Sequence, residues 1–233
     1  MSETIIKTIN LTATVPLKDG SVLTTVNHVS LHLQTGHSYA IVGKSGSGKT
    51  SLISILGLLN ASFQGQYYYQ GKNVRELSDG ELSSLRSQKI GFVFQNYSLI
   101  KHLKVWENIE LSLIYAKKKI GKKKRMEIIR KVLSDVGLDS KRHYYPSDLS
   151  GGEQQRVAIA RALVIEPEVI ICDEPTGALD KQTGKLVMDL LQTITKTHNT
   201  ILILVTHDPD LAKLCDIVLQ MDGGEIVYVS NDS

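Results

Sequence analysis

The sequence predicts an α/β fold, and three observations support this prediction. Residues 39–42 form an apolar run that leads through a glycine-rich loop into a helical stretch. Two further apolar runs, residues 168–173 and 201–206, have the length of buried strands and alternate with helical segments. Between residues 79 and 146 helical spacing dominates, interrupted by the strand-like residues 90–94. Short apolar strands that alternate with helices are typical of an α/β core.

Strand-forming residues predict an N-terminal β-region ahead of the glycine-rich loop. Its strands are expected at residues 5–12 and 22–33, and a further strand with a turn is expected at residues 66–71. The three consecutive tyrosines in that last run could suggest stacking on bases, but aromatic residues are also strong strand formers. We therefore favour a strand and expect no nucleic-acid partner. The later helices are expected at residues 79–87, 105–116 and 122–136.

The glycine-rich loop has the sequence Gly-Lys-Ser-Gly-Ser-Gly-Lys-Thr at residues 43–50, which is the G-x-x-x-x-G-K-[ST] pattern between a strand and a helix. Lys49 can reach terminal phosphates, and Thr50 can place its hydroxyl on Mg²⁺. A flexible Gly/Ser turn is the alternative, and the flanking strand and helix argue against it. A dinucleotide fingerprint is excluded because its third glycine is missing. The expected nucleotide-binding residues are Gly43, Ser45, Gly46, Ser47, Gly48, Lys49, Thr50 and Ser51.

Two carboxylates follow the apolar strand at residues 168–173, and a proline then stops the strand. Asp173, at the strand's end, suits the Mg²⁺ shell, in which the ion keeps much of its water. Glu174 can orient and deprotonate an attacking water. Ordinary strand-end acids at a surface turn are the alternative, which the lysine loop makes less favourable.

A second glycine-led segment occurs at residues 149–156, with the sequence Leu-Ser-Gly-Gly-Glu-Gln-Gln-Arg. It opens a helix expected over residues 153–166, and a helix N-terminus with unpaired N–H groups attracts anions. The chain thus has two phosphate sites within one nucleotide-sized domain. This predicts a nucleotide clamped between two copies of the chain.

Taken in order, these motifs resemble those of the nucleotide-binding subunits of ATP-binding cassette (ABC) transporters, and the resemblance covers nearly all 233 residues. The matching elements are residues 43–50 (Walker A), Gln95 (Q-loop), residues 149–156 (signature), residues 170–174 (Walker B with its catalytic glutamate), residues 178–180 (D-loop) and His207 (switch histidine).

The resemblance implies a single ABC ATPase domain over residues 1–233. Its P-loop NTPase core would comprise residues 1–78 and 149–233, with an N-terminal antiparallel β-region and an α-helical subdomain inserted at about residues 79–148. The implied cofactors are ATP and Mg²⁺, and the implied reaction is hydrolysis of ATP to ADP and phosphate. The implied metal ligands are Thr50, Gln95 and Asp173, and the implied catalytic residues are Glu174, His207 and Gln95.

In this family two subunits face each other head to tail, and each signature helix touches the γ-phosphate held by its partner. Gln95 would contact Mg²⁺ and water at the nucleotide and transmit a change in their positions to the membrane partner. His207 would hydrogen-bond the γ-phosphate and keep the water and Glu174 in position, although taken alone it is more simply a capping histidine before Asp208. Asp180 would link the two sites. The implied residues for the partner's nucleotide are Ser150, Gly151, Gly152 and Glu153.

One departure from the family pattern concerns the base of the nucleotide. The family usually stacks adenine on an aromatic residue in the N-terminal β-region, and Val15 stands at the corresponding position. No Phe, Tyr or Trp precedes Tyr39, which we expect in the core. Stacking contributes roughly 1–3 kcal/mol per base. We therefore expect weak ATP binding by the isolated subunit and poor discrimination against GTP.

Composition favours a peripheral subunit on the cytoplasmic side of the cell membrane. No apolar stretch has the length that spans a bilayer, and the first residues have no secretory character. Cys172 and Cys215 are too few for a disulfide framework, so we expect both to be reduced and structural. The expected partners are a second copy of the chain, a separate transmembrane permease with an extracytoplasmic domain and, where the system has one, a periplasmic or extracellular adaptor.

The formal net charge of +3 is unevenly distributed. Nine Lys or Arg and one acid fall between Lys117 and Lys131, concentrated at residues 117–125, so the rest of the chain is net acidic. Such runs are usually solvated. The alternative is that this run lies near anionic lipid or an acidic partner.

Residues 173–180, the signature and residues 91–95 resemble the group of macrolide and antimicrobial-peptide exporters and lipoprotein-releasing ATPases. Polar amino-acid importers usually have Ser where Gly177 stands. We favour export of, or resistance to, antimicrobial peptides or macrolide-like compounds. Lipoprotein release, mechanical control of cell-wall hydrolases at division, and a peptide-sensing complex with a kinase remain alternatives. The absence of a coiled coil, second cassette or long linker argues against DNA-repair, chromosome-condensing and ribosome-binding members.

Overall fold

The computed structural model describes residues 3–116 and 120–231 of the chain. In chain order the strands are β1 (Thr4–Pro16), β2 (Val22–Gln34), β3 (Ser38–Val42), β4 (Gln64–Tyr69), β5 (Lys72–Asn73), β6 (Ile90–Phe94), β7 (Val169–Asp173), β8 (Ile201–Val205), β9 (Ile217–Asp222) and β10 (Glu225–Asn231). The α-helices are α1 (Lys49–Leu56), α2 (Asp79–Lys89), α3 (Val105–Tyr115), α4 (Lys122–Asp135), α5 (Gly151–Leu163), α6 (Lys181–His198) and α7 (Pro209–Ala212).

A six-stranded sheet forms the centre, in the order β10-β9-β3-β8-β7-β6. All its neighbouring pairs are parallel except β9 and β10, which are antiparallel. β8 is buried along its whole length, because helices cover one face of the sheet and α1 with the N-terminal strands covers the other. Its side chains alternate between the two cores: Leu202 and Leu204 join one, whereas Ile201 and Ile203 join the other. Burial on both faces explains the continuous apolar runs of these strands.

A second sheet, in the order β2-β1-β4-β5, is antiparallel and packs over α1. The second strand of its long hairpin, β2, matches the predicted residues 22–33 to within one residue, whereas β1 extends beyond the predicted residues 5–12 as far as Pro16. Irregular pairing, with Asn10 and His28 at positive φ, lets the strands bend and continue to a tip at residues 17–21. The tyrosine run forms β4, as predicted, and Tyr67 and Tyr69 are buried.

The helix predicted over residues 153–166 begins and ends earlier than expected. It starts at Gly151 because the Ser150 hydroxyl accepts the Glu153 N–H while the Glu153 carboxylate accepts the Ser150 N–H, a reciprocal cap. It ends at Leu163, and Glu166 adopts φ 56° just before Pro167. The other helix and strand predictions are confirmed to within a few residues at each end.

Cys172 and Cys215 are buried free thiols, as predicted, and burial raises the pKa of the Cys215 thiol to about 12. Within the described residues, no helix is both long and apolar enough to cross a bilayer. Part of the basic run, residues 117–119, lies outside the described chain. Its remaining basic residues begin α4.

Candidate functional site

Loops at the carboxyl ends of β3, β6, β7 and β8 meet at one edge of the central sheet, together with the start of α1. In open parallel sheets this edge is where ligands bind. The loops enclose a cleft of about 520 Å³. Its lining residues are Leu23, Thr25, Gly43, Ser45, Gly46, Gly48, Lys49, Thr50, Ser51, Gln95, Asp173, Glu174, Val205 and His207.

The glycines of residues 43–50 let the loop lie directly against two neighbouring strands. A Cβ built on Gly48, at φ 101°, would lie 1.9 Å from the Thr25 carbonyl oxygen, and one built on Gly43 would lie 2.2 Å from the Met221 oxygen. Gly46, at φ 78°, instead faces open space. Two glycines are therefore required by packing, and the third by its left-handed backbone.

The start of α1 presents positive charge to the cleft. The Lys49 ammonium lies over the loop, donating to the carbonyl oxygens of Gly43 and Lys44 at 2.8 Å each. Within the described chain, the N–H groups of Lys49, Thr50 and Ser51 have no protein acceptor. These donors and the helix dipole form an anion site. Ser47, which was predicted to bind nucleotide, is buried within the loop and does not line the cleft.

The two acids differ in their surroundings. Asp173 is half-buried at the end of β7, and burial together with the charge of Glu174 raises the pKa of its carboxyl group, opposed by the Lys49 ammonium. Glu174 has φ 50° and donates its N–H to the Val205 oxygen at 2.9 Å, which turns its side chain out of the sheet. Its Oε2 lies 2.6 Å from Nδ1 of the exposed His207.

The donors that line the cleft suit a hard cation. The Thr50 hydroxyl, the Gln95 carboxamide and the Asp173 carboxylate are oxygen ligands, which Mg²⁺ prefers. No cluster of three or more His, Cys, Asp or Glu that could hold a metal occurs within the described residues. The donor set therefore fits Mg²⁺ that also retains water or phosphate ligands.

The signature segment lies outside the cleft of its own chain. Ser150 and Glu153 cap α5, and Glu153 also pairs with Lys141, which lowers the pKa of its carboxyl group together with the Ser150 N–H. A Cβ on Gly151 would lie 2.8 Å from the Tyr97 hydroxyl, and one on Gly152 would lie 2.4 Å from a Thr183 methyl. None of residues 150–153 lines the nucleotide cleft.

Asp180 also lies outside the cleft and caps the next helix. Its carboxylate accepts the N–H groups of Gln182 and Thr183 and the Thr183 hydroxyl at 2.7 Å. The hydrogen bonds from Thr183, led by its side chain, lower the pKa of Asp180. In the isolated chain this residue thus holds the start of α6, close to Gly152.

Val15 pairs with Leu23 across the hairpin, and Leu23, not Val15, lines the cleft. Sequence reasoning missed Leu23, Thr25 and Val205. The hairpin register could have revealed Leu23. It pairs across the strands with Val15, which was expected near the adenine ring, so it is itself a candidate contact for the ring. Thr25 and Val205 enter through strand packing that no local motif signals.

The sequence profile described as ABC transporter matches residues 26–177 of this chain. A macrolide export ATP-binding/permease protein, MacB of Pasteurella multocida, is 43% identical over 204 residues, 88% of this chain and 31% of that protein. The ABC transporter ATP-binding protein YknY of Bacillus subtilis is 40% identical over 88% of both chains. The chain spans about a third of the length of the MacB relatives that it matches.

Solved structures agree with the fold. The dimeric bacterial ABC transporter cassette MJ0796 superposes with a TM-score of 0.89 at 35% identity, covering 97% of this chain and 98% of that one. A post-hydrolysis dimer of the same cassette, bound to ADP and Pi, gives the same TM-score. The chain belongs to the ABC transporter family. It is an ABC-type ATPase, the ATP-binding subunit or domain of a transporter.

Proposed function

We propose that this chain binds ATP and Mg²⁺, pairs with a second copy around two ATP molecules, and drives a separate membrane permease. One observation carries the proposal: lysine, acids and histidine converge in one cleft, whereas the signature residues Ser150, Gly151 and Gly152 lie outside it. Within the described chain the Gly151 and Gly152 N–H groups have no protein acceptor. They are therefore available to a phosphate held by another copy.

In the proposed mechanism, the loop and Lys49 bind the phosphates, and Glu174 removes a proton from the attacking water. His207, at 2.6 Å from Glu174, fixes the direction of that carboxylate. Thr50, Gln95 and Asp173 would hold Mg²⁺, whose chemistry when bound is to neutralise charge on the phosphate oxygens. Each ATP site of the proposed dimer would combine the cleft of one copy with the signature segment of the other. Asp180 would connect the two sites through α6 of each copy.

A groove of about 560 Å³ supports docking of a permease on the helical side of the chain. It is lined by residues of α2, β6, α3 and α5, including Arg86, Phe92 and Arg161. Tyr115, on its rim, is 70% exposed. The groove is lined by Phe94, and the next residue, Gln95, lines the nucleotide cleft. A partner bound in the groove would therefore contact the chain directly beside the cleft. A periplasmic or extracellular adaptor would bind the permease, and this chain would lie peripherally on the cytoplasmic side.

The names of the MacB relatives support export of macrolide-like compounds, and the motif group supports antimicrobial peptides. We propose one of these as the transported class. Lipoprotein release, mechanical control of wall hydrolases and peptide sensing remain candidates, because the permease, not the ATPase, contacts the substrate. Co-purification of the membrane partner, followed by ATPase assays with peptides and macrolides, tests the choice.

Complementation between two inactive variants tests the shared site. Lys49→Ala removes the loop cation, and Gly151→Asp places a negative charge on the signature segment. If each site uses a loop from one copy and a signature from the other, a mixed dimer contains one intact site, and mixing restores ATPase activity. Each variant alone is the control. Failure of the mixture, with wild-type activity proportional to protein concentration down to nanomolar dilution, would contradict pairing.

A further inference from the structure

Gly177 lies against the side chain of Gln95. A Cβ built on Gly177 would be 2.7 Å from Gln95 Nε2, 3.3 Å from Cδ and 3.5 Å from Cγ. The glutamine side chain therefore lies along the bare Cα of the glycine. The two residues follow neighbouring strands, since Phe94 of β6 pairs with Asp173 of β7.

The backbone conformation does not require glycine at position 177, because Gly177 lies outside the left-handed region that disfavours side chains. The turn around it is held by the rest of the fold. The Gly177 N–H donates to the backbone carbonyl oxygen of Glu174 at 3.1 Å, and the Leu179 N–H donates to the backbone carbonyl oxygen of Thr176 at 2.9 Å. On the other side, Thr176 packs against Gly184 of α6. The turn cannot retreat from Gln95 without breaking these contacts.

Gln95 is the part that can move. It is exposed, and within the described chain its carboxamide makes no hydrogen bond to protein. A methyl group on Gly177 would meet the far end of this flexible side chain, so the fold can accommodate it by displacing the carboxamide alone.

We propose that Gly177 is a positioning residue for the reaction: its missing side chain gives the Gln95 carboxamide the space from which it reaches Mg²⁺ and water. The inference rests on the proposed role of Gln95 in the nucleotide cleft. Gly177 touches neither nucleotide nor metal and acts through Gln95. A misplacement of about 1 Å in such a group can cost up to about 100-fold in rate.

A double-mutant cycle with Gly177→Ala and Gln95→Ala tests the proposal in the full chain. We expect Gly177→Ala to lower kcat about tenfold with KM for ATP unchanged. In the Gln95→Ala background the same substitution should change kcat less than twofold, because the displaced group is gone. Gly80→Ala is the matched control, since a Cβ on Gly80 meets nothing within 4 Å.

Nucleotide affinity gives a second readout that does not depend on turnover. The dissociation constant of a non-hydrolysable ATP analogue is measured with Mg²⁺ and with excess EDTA. Gly177→Ala should leave the unfolding midpoint and the dissociation constant measured in EDTA unchanged. It should reduce about threefold the factor by which Mg²⁺ strengthens binding of the analogue. Wild-type kcat in Gly177→Ala, or an equal loss in the Gln95→Ala background, would overturn the inference. Absence of ATP hydrolysis by the wild type would instead contradict the proposed function.

Discussion

His207 Nδ1 and Glu174 Oε2 are 2.6 Å apart, which is hydrogen-bond distance, although the two residues follow different strands. The pair forms because β7 and β8 are parallel neighbours, with Asp173 opposite Val205, so the residues beyond both ends meet at the same edge. Glu174 is further fixed by its N–H bond to Val205. The candidate base is thus oriented by a histidine 33 positions later in the sequence.

The direction of this hydrogen bond limits what His207 can do next. An ionised carboxylate only accepts, so Nδ1 carries the proton, and in a neutral ring Nε2 is then an acceptor. Phosphate oxygens are also acceptors. His207 can therefore donate to a phosphate from Nε2 only when both ring nitrogens are protonated, or after it releases Glu174.

Replacing Glu174 with Gln should stop turnover while leaving nucleotide binding intact. The variant loses the proton acceptor but keeps a group of the same size, so we expect kcat to fall roughly 10²–10⁴-fold. ATP should then accumulate in a paired state, detectable as a stable dimer by gel filtration with ATP. Glu127→Gln, on the exposed side of α4, is the control. Near-wild-type turnover would place the base elsewhere.

Replacing Lys49 with Ala should weaken ATP binding itself. The Lys49 ammonium is held by two loop carbonyls, and charged phosphate oxygens would replace these neutral acceptors. Hydrogen bonds to charged groups contribute about 1.5–3 kcal/mol, so affinity should fall about 10–100-fold, measured by titration calorimetry. Lys44→Ala is the control, because the Lys44 side chain does not line the cleft. An unchanged affinity would remove Lys49 from phosphate binding.

Local patterns predicted most of the residues that line the cleft, because several of these residues are contiguous in sequence. Residues 43–50 carry their own strand, turn and helix start, and Asp173 and Glu174 end an apolar strand, so spacing alone places them at a sheet edge. No local pattern indicates that Glu174 pairs with His207, because this pairing depends on the order of strands in the sheet; only the family resemblance implied that His207 positions Glu174.

The first strand of the antiparallel hairpin, β1, was predicted too short for a similar reason. Asn10 and His28 take positive φ values and interrupt the pairing, and beyond them β1 continues through Val15 to Pro16. The bulges are stabilised by cross-strand bonds, such as Asn10 N–H to Ser30 Oγ, which sequence periodicity does not indicate. The start of α5 was also missed, since a glycine pair has low helix propensity and only the reciprocal cap stabilises it.

The cleft should discriminate poorly between ATP and GTP. No Phe, Tyr or Trp is among the described lining residues, and the nucleotide base would meet aliphatic Leu23, which is 50% exposed, with Val15 paired beside it. Aliphatic contact distinguishes no exocyclic group, so we expect dissociation constants within about threefold of each other. Val15→Tyr and Leu23→Tyr should strengthen binding of both nucleotides, by at least about fivefold at the better-placed position. A strong ATP preference in the wild type would contradict this.

The capping network of α5 should make part of the stability depend on pH. Lys141 and then the Ser150 N–H lower the pKa of Glu153 below that of an ordinary glutamate. A carboxylate with a lowered folded-state pKa stabilises the fold above its unfolded pKa, and this contribution is lost as pH falls through the lowered value.

Glu153→Gln keeps the cap but removes the ionised partner of Lys141. Because both side chains are partly exposed, we expect a loss of at most about 1 kcal/mol at pH 7 in urea unfolding, which shrinks as the pH falls below about 4. Glu127→Gln removes an exposed pair within α4 and should show neither effect. A difference between wild type and Glu153→Gln that stayed constant from pH 7 into acid would mean that the charge of Glu153 does not stabilise α5. The loss would then reflect side-chain packing alone.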